Sequence, residues 1–317
     1  MERPFRRYVR SFQRHIEPAL DGEVEPLHQA RVATRRLREL APLLAAELGD
    51  KATRKMVARL RDLGRALGPV RELDVSLDLL GELSRDGATP EDAAVRLRQH
   101  LSDLRDRGRT RLLRAVDPQR AVKLGRRMLT LNDDLRKHNT GAWTRALSLR
   151  MSRRAKRLHE LVDAAGAVYV PDRVHAVRIA CKKLRYSFEL AAEAGATRKR
   201  VPARQLKAVQ DALGRLHDIE VLTQFMQEQP LPPPPAPPWV VHLDEFRIRL
   251  ETESRQLHSD FIVARRQVVR AGDAAIDTAE RLWGRRPSAG ALPAPLKMGL
   301  ADDTPKTASR RRSASGR

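Results

Sequence analysis

The sequence predicts an all-α fold, and three of its features support that prediction. Leu, Ala and Arg, which favour helices, dominate the stretches between short clusters of helix-breaking residues. No segment alternates apolar and polar residues with the period of two expected of a half-buried strand. A pattern of histidine and cations at helical spacing occurs twice. We expect helices over roughly residues 3–20, 26–48, 51–67, 71–85, 90–116, 118–138, 142–166, 172–195, 200–213, 217–229 and 239–283.

Glycine, proline and threonine mark the expected helix boundaries. Gly68-Pro69 and Gly214 occupy positions where a helix C-terminus prefers glycine, so we expect one helix to end and another to begin at each. Thr89 offers an N-cap, followed by proline and acids in the first turn of the next helix. The run QPLPPPPAPPW, residues 229–239, predicts an extended polyproline II spacer between two helices.

The charge balance predicts an anionic partner. The 317 residues contain 62 Lys and Arg against 40 Asp and Glu, a formal net charge of +22. Residues 284–317 have few large apolar side chains and predict a disordered basic tail. The tail has eight Lys or Arg and two Asp, a net +6, so the rest of the chain keeps 22 − 6 = +16. Such a chain repels itself strongly unless a polyanion is bound.

Cysteine usage and hydropathy restrict the class of protein further. Because Cys181 is the only cysteine, neither an intramolecular disulfide nor a cysteine-based zinc site can form. No run approaches the roughly 20 apolar residues that span a bilayer, and residues 1–20 lack the apolar core of a signal peptide. We expect a soluble, cytoplasmic protein.

Two blocks of the sequence recur with nearly the same spacing. Residues 27–38, LHQARVATRRLR, align with residues 174–185, VHAVRIACKKLR, at a shift of 175 − 28 = 147. Residues 67–75, LGPVRELDV, align with residues 213–221, LGRLHDIEV, at a shift of 146. We interpret the chain as a duplicated helical unit with a pseudo-twofold axis. The first repeat covers about residues 1–140 and the second about residues 141–283.

Each copy of the first block places its cations along one side of a helix. At about 100° per residue, the histidine and the cations fall within a quarter-turn, opposite the apolar residues. Like charges at this spacing destabilise a helix, and residues 27–38 contain no acid to offset them. A solvated basic face is one interpretation; a track for successive phosphates of a flexible polyanion is the other. We call these sets the cationic ladders: His28, Arg31, Arg35 and Arg38 in the first, and His175, Arg178, Lys182 and Arg185 in the second.

The histidines and carboxylates of the two blocks have several possible roles. A metal site is excluded at His28 and His175 because neither has a second ligand three or four residues on. As a phosphate ligand, each histidine would be partly protonated near neutral pH and would bind more tightly as pH falls. The acids of the second block are expected in the first turn of a helix, as ion-pair partners that orient the ladder arginines, with Mg²⁺ chelation or catalysis as the alternative. These acids are Glu72, Asp74, Asp218 and Glu220.

The patterns H-x-x-R-V-x-x-R-R-x-R and H-x-x-R-I-x-x-K-K-x-R-Y, each followed by LG and R/H-[ED]-x-[DE]-V, resemble the CHAD domain, the conserved-histidine alpha-helical domain. The resemblance covers about residues 1–283. It implies two helical bundles related by a pseudo-twofold axis and a basic central channel that binds inorganic polyphosphate, without catalysis or a cofactor. Some stand-alone members are associated with polyphosphate or storage-polymer granules. Carried over by motif, the channel residues are His28, Arg31, Arg35, Arg36, Arg38, Arg71, His175, Arg178, Lys182, Lys183, Arg185, Tyr186 and His217.

Three other functions are weighed against polyphosphate binding. A net charge of +22 would bind nucleic acid nonspecifically at low salt, but only 4% of residues are aromatic and the ladders lack Asn and Gln. An enzyme acting on phosphate chains would need a P-loop or a dense acidic cluster, and the sequence has neither. We expect a stand-alone CHAD domain without the CYTH triphosphatase domain, since only Glu251-x-Glu253-x-Arg255 approaches its E-x-E-x-K motif. A helical scaffold that uses residues 239–283 as a partner helix is the third alternative.

Overall fold

The all-α prediction is confirmed for residues 1–85, 90–137, 140–193, 195 and 201–284, which the computed structural model describes. Within these residues the regular structure is helical, and none of the helices is long and apolar enough to cross a membrane. The helices are α1 (Glu2–Asp21), α2 (Val24–Leu48), α3 (Asp50–Arg85), α4 (Glu91–Ala115), α5 (Pro118–Lys137), α6 (Ala142–Ala165), α7 (Pro171–Glu193), α8 (Val201–Glu228) and α9 (Pro238–Trp283).

Two of the predicted helix boundaries are wrong. Helix α3 continues through Gly68 and Pro69, and α8 continues through Gly214. Each break would interrupt a row of buried apolar residues. Burial of such a row outweighs the roughly 1 kcal/mol that glycine costs within a helix and, in α3, the roughly 3 kcal/mol that Pro69 costs. The acids of the second block therefore lie in helix interiors, and a first-turn role for them is excluded. The row in α3 comprises Leu60, Leu63, Leu67, Val70 and Leu73.

Three further predictions concern connecting segments and the tail. Helix α4 begins at Glu91 with Pro90 as its N-cap residue, while the predicted cap Thr89 lies outside the described residues. The polyproline segment is shorter than predicted because α9 begins at Pro238. Bends at Pro234 and Pro235 also interrupt it, so it does not form one extended polyproline II segment. The predicted disordered tail, apart from Gly284, lies outside the described residues as well.

Buried apolar residues form two clusters that meet along α3 and α8. The larger cluster reaches Val70 in α3 and Leu216 in α8, and includes residues from α1, α2, α5, α6, α7 and α9. The smaller cluster begins at Leu73 and Ile219, where α3 and α8 pack with α4 and α9. Residues 71–72 and 217–218 thus lie where one apolar cluster gives way to the other. Polar side chains at these positions can face a cavity without interrupting either cluster.

Helix packing follows a similar order in the two halves of the chain. Helices α1 to α4 pack each on the next, as do α6 to α9. The halves meet where α2 packs on α6 and α3 packs on α8. This order agrees with the spacing of the recurring blocks, but the pseudo-twofold axis and the central channel stay predictions.

Candidate anion-binding site

Helices α2, α3, α7 and α8 surround a cavity of about 460 Å³, which we call the ladder cavity. Residues of the two ladders line the cavity from α2 and α7, and residues of the two copies of the second block line it from α3 and α8. Residues from positions 28 to 217 therefore come together at one place. Eight of the thirteen predicted site residues line it, namely His28, Arg31, Arg35, Arg71, His175, Arg178, Lys182 and His217.

The apolar faces of α2 and α7 turn the ladders toward this cavity. Ala30, Ala33 and Leu37 are fully buried on α2, and Val177 and Leu184 are fully buried on α7. Because the ladder residues occupy the other side of each helix, packing of these apolar faces in the core orients the cations. The two-sided pattern read from the sequence thus explains the local geometry.

Gly68 has a packing role beside Arg31. Arg31 Nη1 lies 3.5 Å from the carbonyl oxygen of Gly64, and a Cβ at Gly68 would lie only 2.8 Å from the same nitrogen. The Arg31 guanidinium therefore needs the space that a glycine at position 68 leaves. Arg31 Nη2 also lies 3.9 Å from Glu72 Oε1, which agrees with the predicted orienting role of that carboxylate.

The cavity concentrates positive charge that the protein neutralises only in part. Its lining includes five Lys or Arg residues and the carboxylates Glu72 and Asp218, a formal sum of 5 − 2 = +3 with Lys182 protonated and the histidines neutral. Burial lowers the pKa of Lys182 to about 7, and the nearby Arg35 and Arg178 act in the same direction. Burial also lowers the pKa of Arg178, although Asp218 opposes this effect. An anion in the cavity would relieve this repulsion.

The histidines at the head of the two ladders, His28 and His175, both have lowered pKa values. Burial, followed by the neighbouring His217 and Arg178, lowers the pKa of His175 to about 4. Burial and Arg71 also lower the pKa of His28. Part of the reason is tertiary, because folding buries both rings and brings Arg71 of α3 near His28 and His217 of α8 beside His175. The predicted partial protonation concerns histidines that donate to a bound phosphate, and it stays a prediction.

His217 lies in a chain of polar contacts that leads away from the cavity. Its ring centroid is 4.5 Å from that of His175, and its Nδ1 lies 3.5 Å from Glu220 Oε2. The Tyr169 hydroxyl donates a hydrogen bond to Glu220 Oε1. Burial alone would raise the pKa of Glu220, but the contacts with His217 and Tyr169 lower it overall. Tyr169 precedes α7, and nothing in the sequence pattern predicted its contact with Glu220.

Asp74 does not orient a ladder arginine, contrary to the sequence prediction. Its carboxylate is buried and accepts a hydrogen bond at 2.6 Å from Arg105 Nε of α4. The pair joins α3 to α4, two helices that pack on each other. Sequence spacing alone could not identify the pairing, because Arg105 is 31 residues away.

Five predicted site residues lie outside the cavity lining. The Arg36 guanidinium stacks 3.6 Å from the ring centroid of the buried Tyr186, and Arg36 also pairs with Glu189 at 2.5 Å. Arg185 donates to Glu189 at 2.6 Å and to Gln210 of α8 at 3.0 Å. Their assignment to polyphosphate stays a prediction, while the contacts indicate a structural role. The five are Arg36, Arg38, Lys183, Arg185 and Tyr186.

Glu39 connects the first ladder helix to α6, a feature that sequence reasoning missed. Arg150 donates to its carboxylate at 2.8 Å, and Arg154 makes a second hydrogen bond to the same oxygen. Arg154 also donates at 2.7 Å to the carbonyl oxygen of Lys183 on α7. This network holds α2, α6 and α7 together outside the cavity. Its ion pairs explain why the pKa of Glu39 is lowered despite burial.

Known proteins are similar to this chain in sequence and in fold. The family model for the CHAD domain matches residues 4–227. The crystal structure of the CHAD domain from the plant Ricinus communis has a TM-score of 0.61 and 23% identity, covering 90% of this chain and 91% of that chain. A structure of PptA from Streptomyces chartreusis has a TM-score of 0.51 and 18% identity, covering 88% of this chain and 97% of that chain. These structural likenesses concern the fold.

The curated relatives are longer than the region they share with this chain. The Mycobacterium tuberculosis proteins named Uncharacterized protein MT2285 and Uncharacterized protein Rv2226 are each 27% identical over 214 residues. The match covers 65% of this chain and 40% of each relative. The chain thus aligns with about two fifths of their length. Helix α9 begins after the end of the family match, yet it packs on α6 and α8.

Proposed function

Because the chain belongs to the CHAD domain family, we propose that it binds inorganic polyphosphate in the ladder cavity and catalyses no reaction on it. The observation that carries the proposal is the convergence of both ladders on one cavity of about 460 Å³. Arginine forks and a lysine point charge then lie about one helical turn apart on two helices. A linear chain of phosphates presents charge at successive positions and complements such a lining.

The chemistry of the lining favours phosphate over nucleic acid. None of the described residues that line the cavity is Phe, Trp, Tyr, Asn or Gln. The described lining therefore offers no Phe, Trp or Tyr platform on which bases could stack, and no Asn or Gln to read adenine. Sulfate and phosphate anions other than polyphosphate have the same kind of charged oxygens and would compete with it for these cations. On this proposal the protein acts in the cytoplasm and reaches polyphosphate or storage granules through the same cavity.

A direct titration tests the proposal. Long-chain polyphosphate and DNA of matched total charge are each titrated into the protein at physiological salt by calorimetry. We expect polyphosphate to bind more tightly than DNA. We also expect its affinity to fall less steeply than that of DNA as the salt concentration is raised. Equal affinities that vanish together would indicate nonspecific electrostatics and contradict the proposal.

A set of variants tests whether polyphosphate binds in the ladder cavity. Replacement of Arg31, Arg35, Arg178 and Lys182 by Gln removes four cations from the lining and should weaken polyphosphate binding by at least about 100-fold. The matched control removes four exposed arginines of α1 and α4 and should change affinity far less. Deletion of residues 285–317 should also cost less than the cavity variant. A larger loss from either control would place the site elsewhere. The control arginines are Arg10, Arg14, Arg96 and Arg98.

A further inference from the structure

A second cationic cavity, of about 520 Å³, lies between α3, α4 and α5. It contains none of the thirteen residues assigned to polyphosphate. On α3 it is lined by Arg59, Asp62 and Leu63. At about 100° per residue, these positions face roughly opposite to Gly64 and Gly68, which receive Arg31. The second cavity is therefore separate from the ladder cavity.

The cations of this second cavity are mostly unpaired. Arg120, Lys123 and Arg127 stand three and four residues apart on one side of α5, and residues 118–132 contain no acid. Arg59 and Arg114 add two more cations, so the lining carries 5 − 2 = +3 with Asp62 and Asp117 included. Arg120 pairs with Asp117 at 3.1 Å. The other four cations have no ion-pair partner among the described residues.

Beneath these cations lies an apolar floor. Leu63, Val116, Ala121 and Leu124 line the cavity and are 3% to 7% exposed. Inorganic phosphate has no apolar group to place against such a surface, and an uncharged hydrocarbon would leave the cations without partners. A ligand that carries both a negative headgroup and an aliphatic body complements both features. The volume lies within the range of pockets that bind small organic ligands.

We propose that the cavity between α3, α4 and α5 binds an organic anion that carries one phosphate or carboxylate headgroup on an aliphatic chain. Lys123 and Arg127 contact the headgroup, because both cations are exposed at the rim and lack ion-pair partners among the described residues. The chain of the ligand lies along Val116 and Leu124. This site works independently of polyphosphate binding, so either assignment can fail without the other.

The test compares octyl phosphate, inorganic phosphate and octanol by titration calorimetry, with octyl phosphate kept below its micelle concentration. Octyl phosphate should bind at least about tenfold more tightly than inorganic phosphate, the gain expected from burying about two methylene groups. It should also bind at least about tenfold more tightly than octanol, because octanol has no anionic headgroup for the cations. Lys123→Gln combined with Arg127→Gln should weaken octyl phosphate about tenfold. Arg96→Gln with Arg98→Gln removes two exposed cations elsewhere and should leave the affinity unchanged. Thermal melting checks that both variants keep the fold.

Three results would overturn the assignment. Inorganic phosphate binding as tightly as octyl phosphate would show that the apolar floor contributes nothing. The second result concerns a variant with Arg31→Gln and Arg178→Gln. If this variant loses octyl phosphate binding while the Lys123 and Arg127 variant keeps it, the probe binds in the ladder cavity. An affinity that none of these substitutions changes would show that the probe binds elsewhere on the surface.

Discussion

Arg31 Nη1 lies 2.8 Å from the point where a Cβ at Gly68 would stand. Cβ atoms essentially never lie so close to a nonbonded heavy atom, so any larger residue at position 68 displaces the guanidinium. The corresponding glycine of the second half, Gly214, has open space around its Cβ position, with nothing within 4 Å. The recurring glycine therefore has a contact with a ladder arginine in one half only.

Gly68→Ala should weaken polyphosphate binding severalfold while changing stability little. Alanine gains helix propensity, and the atom it displaces is the far end of a flexible side chain, so the two effects on folding oppose each other. Gly214→Ala should leave binding unchanged and raise the free energy of unfolding by about 0.5–1 kcal/mol. Urea unfolding and calorimetry measure both quantities. Equal binding by the two variants would contradict the displacement of Arg31.

Polyphosphate binding should take up protons near pH 8, because burial and neighbouring cations hold the pKa of Lys182 at about 7 in the empty cavity. At pH 8 most Lys182 side chains are then neutral, and a bound anion raises the pKa and protonates them. Affinity should accordingly rise as pH falls from about 9 to 7. Calorimetry in buffers of different ionisation enthalpy measures the proton uptake.

Lys182→Arg is the matched variant for this proton uptake, because arginine keeps the charge without titrating in this range. It should retain most of the affinity and lose most of the uptake at pH 8. Unchanged uptake in the variant would assign the protons to another group. Below about pH 6 the uptake should pass to the histidines, since the pKa of His28 and that of His175 are both lowered in the empty cavity.

Tyr186 should matter for stability through its ring and not through its hydroxyl. The ring has the guanidinium carbons of Arg36, Arg185 and Arg35 at 3.6, 5.0 and 5.6 Å from its centroid, whereas the buried hydroxyl has no hydrogen-bond partner among the described residues. Tyr186→Phe should therefore keep or raise stability, by up to about 1 kcal/mol, and keep polyphosphate affinity. Tyr186→Leu loses the cation–π contacts and should cost about 2 kcal/mol or more.

Urea unfolding of both Tyr186 variants measures these effects. A large loss of stability in the Phe variant would show that the hydroxyl has a partner that the side-chain contacts do not explain. A loss of polyphosphate affinity in that variant, with stability intact, would instead place the hydroxyl in contact with the ligand.

Glu39→Gln should destabilise the protein by about 2–3 kcal/mol, because it leaves the partly buried Arg150 without the carboxylate it shares with Arg154. Glu17→Gln, an exposed substitution on α1, should change stability by less than about 0.5 kcal/mol. Unfolding in urea measures both. A cost below 1 kcal/mol for Glu39→Gln would mean that the interhelical network does not hold α2 against α6.

Periodicity alone was enough to predict much of the fold and of the ladder cavity. The spacing of Ala30, Ala33 and Leu37 predicts the buried face of α2, and that face determines the direction of the ladder. Where prediction failed, a local signal was outweighed by packing. Gly68 and Gly214 have the chemistry of a helix end, yet the buried rows on either side of them extend both helices.

Side-chain partners and protonation depend on residues that are distant in the sequence. The all-α class and the alignment of cations along a helix follow from backbone geometry that repeats every few residues, so both can be predicted from the amino-acid sequence. Backbone geometry does not determine that His28 and His217 line the same cavity. Nor does it determine the lowered pKa of Lys182, which follows from burial beside cations of two helices. Long-range electrostatics and desolvation act between side chains that only folding brings together, which is why the tertiary structure was needed to separate cavity residues from interhelical ones.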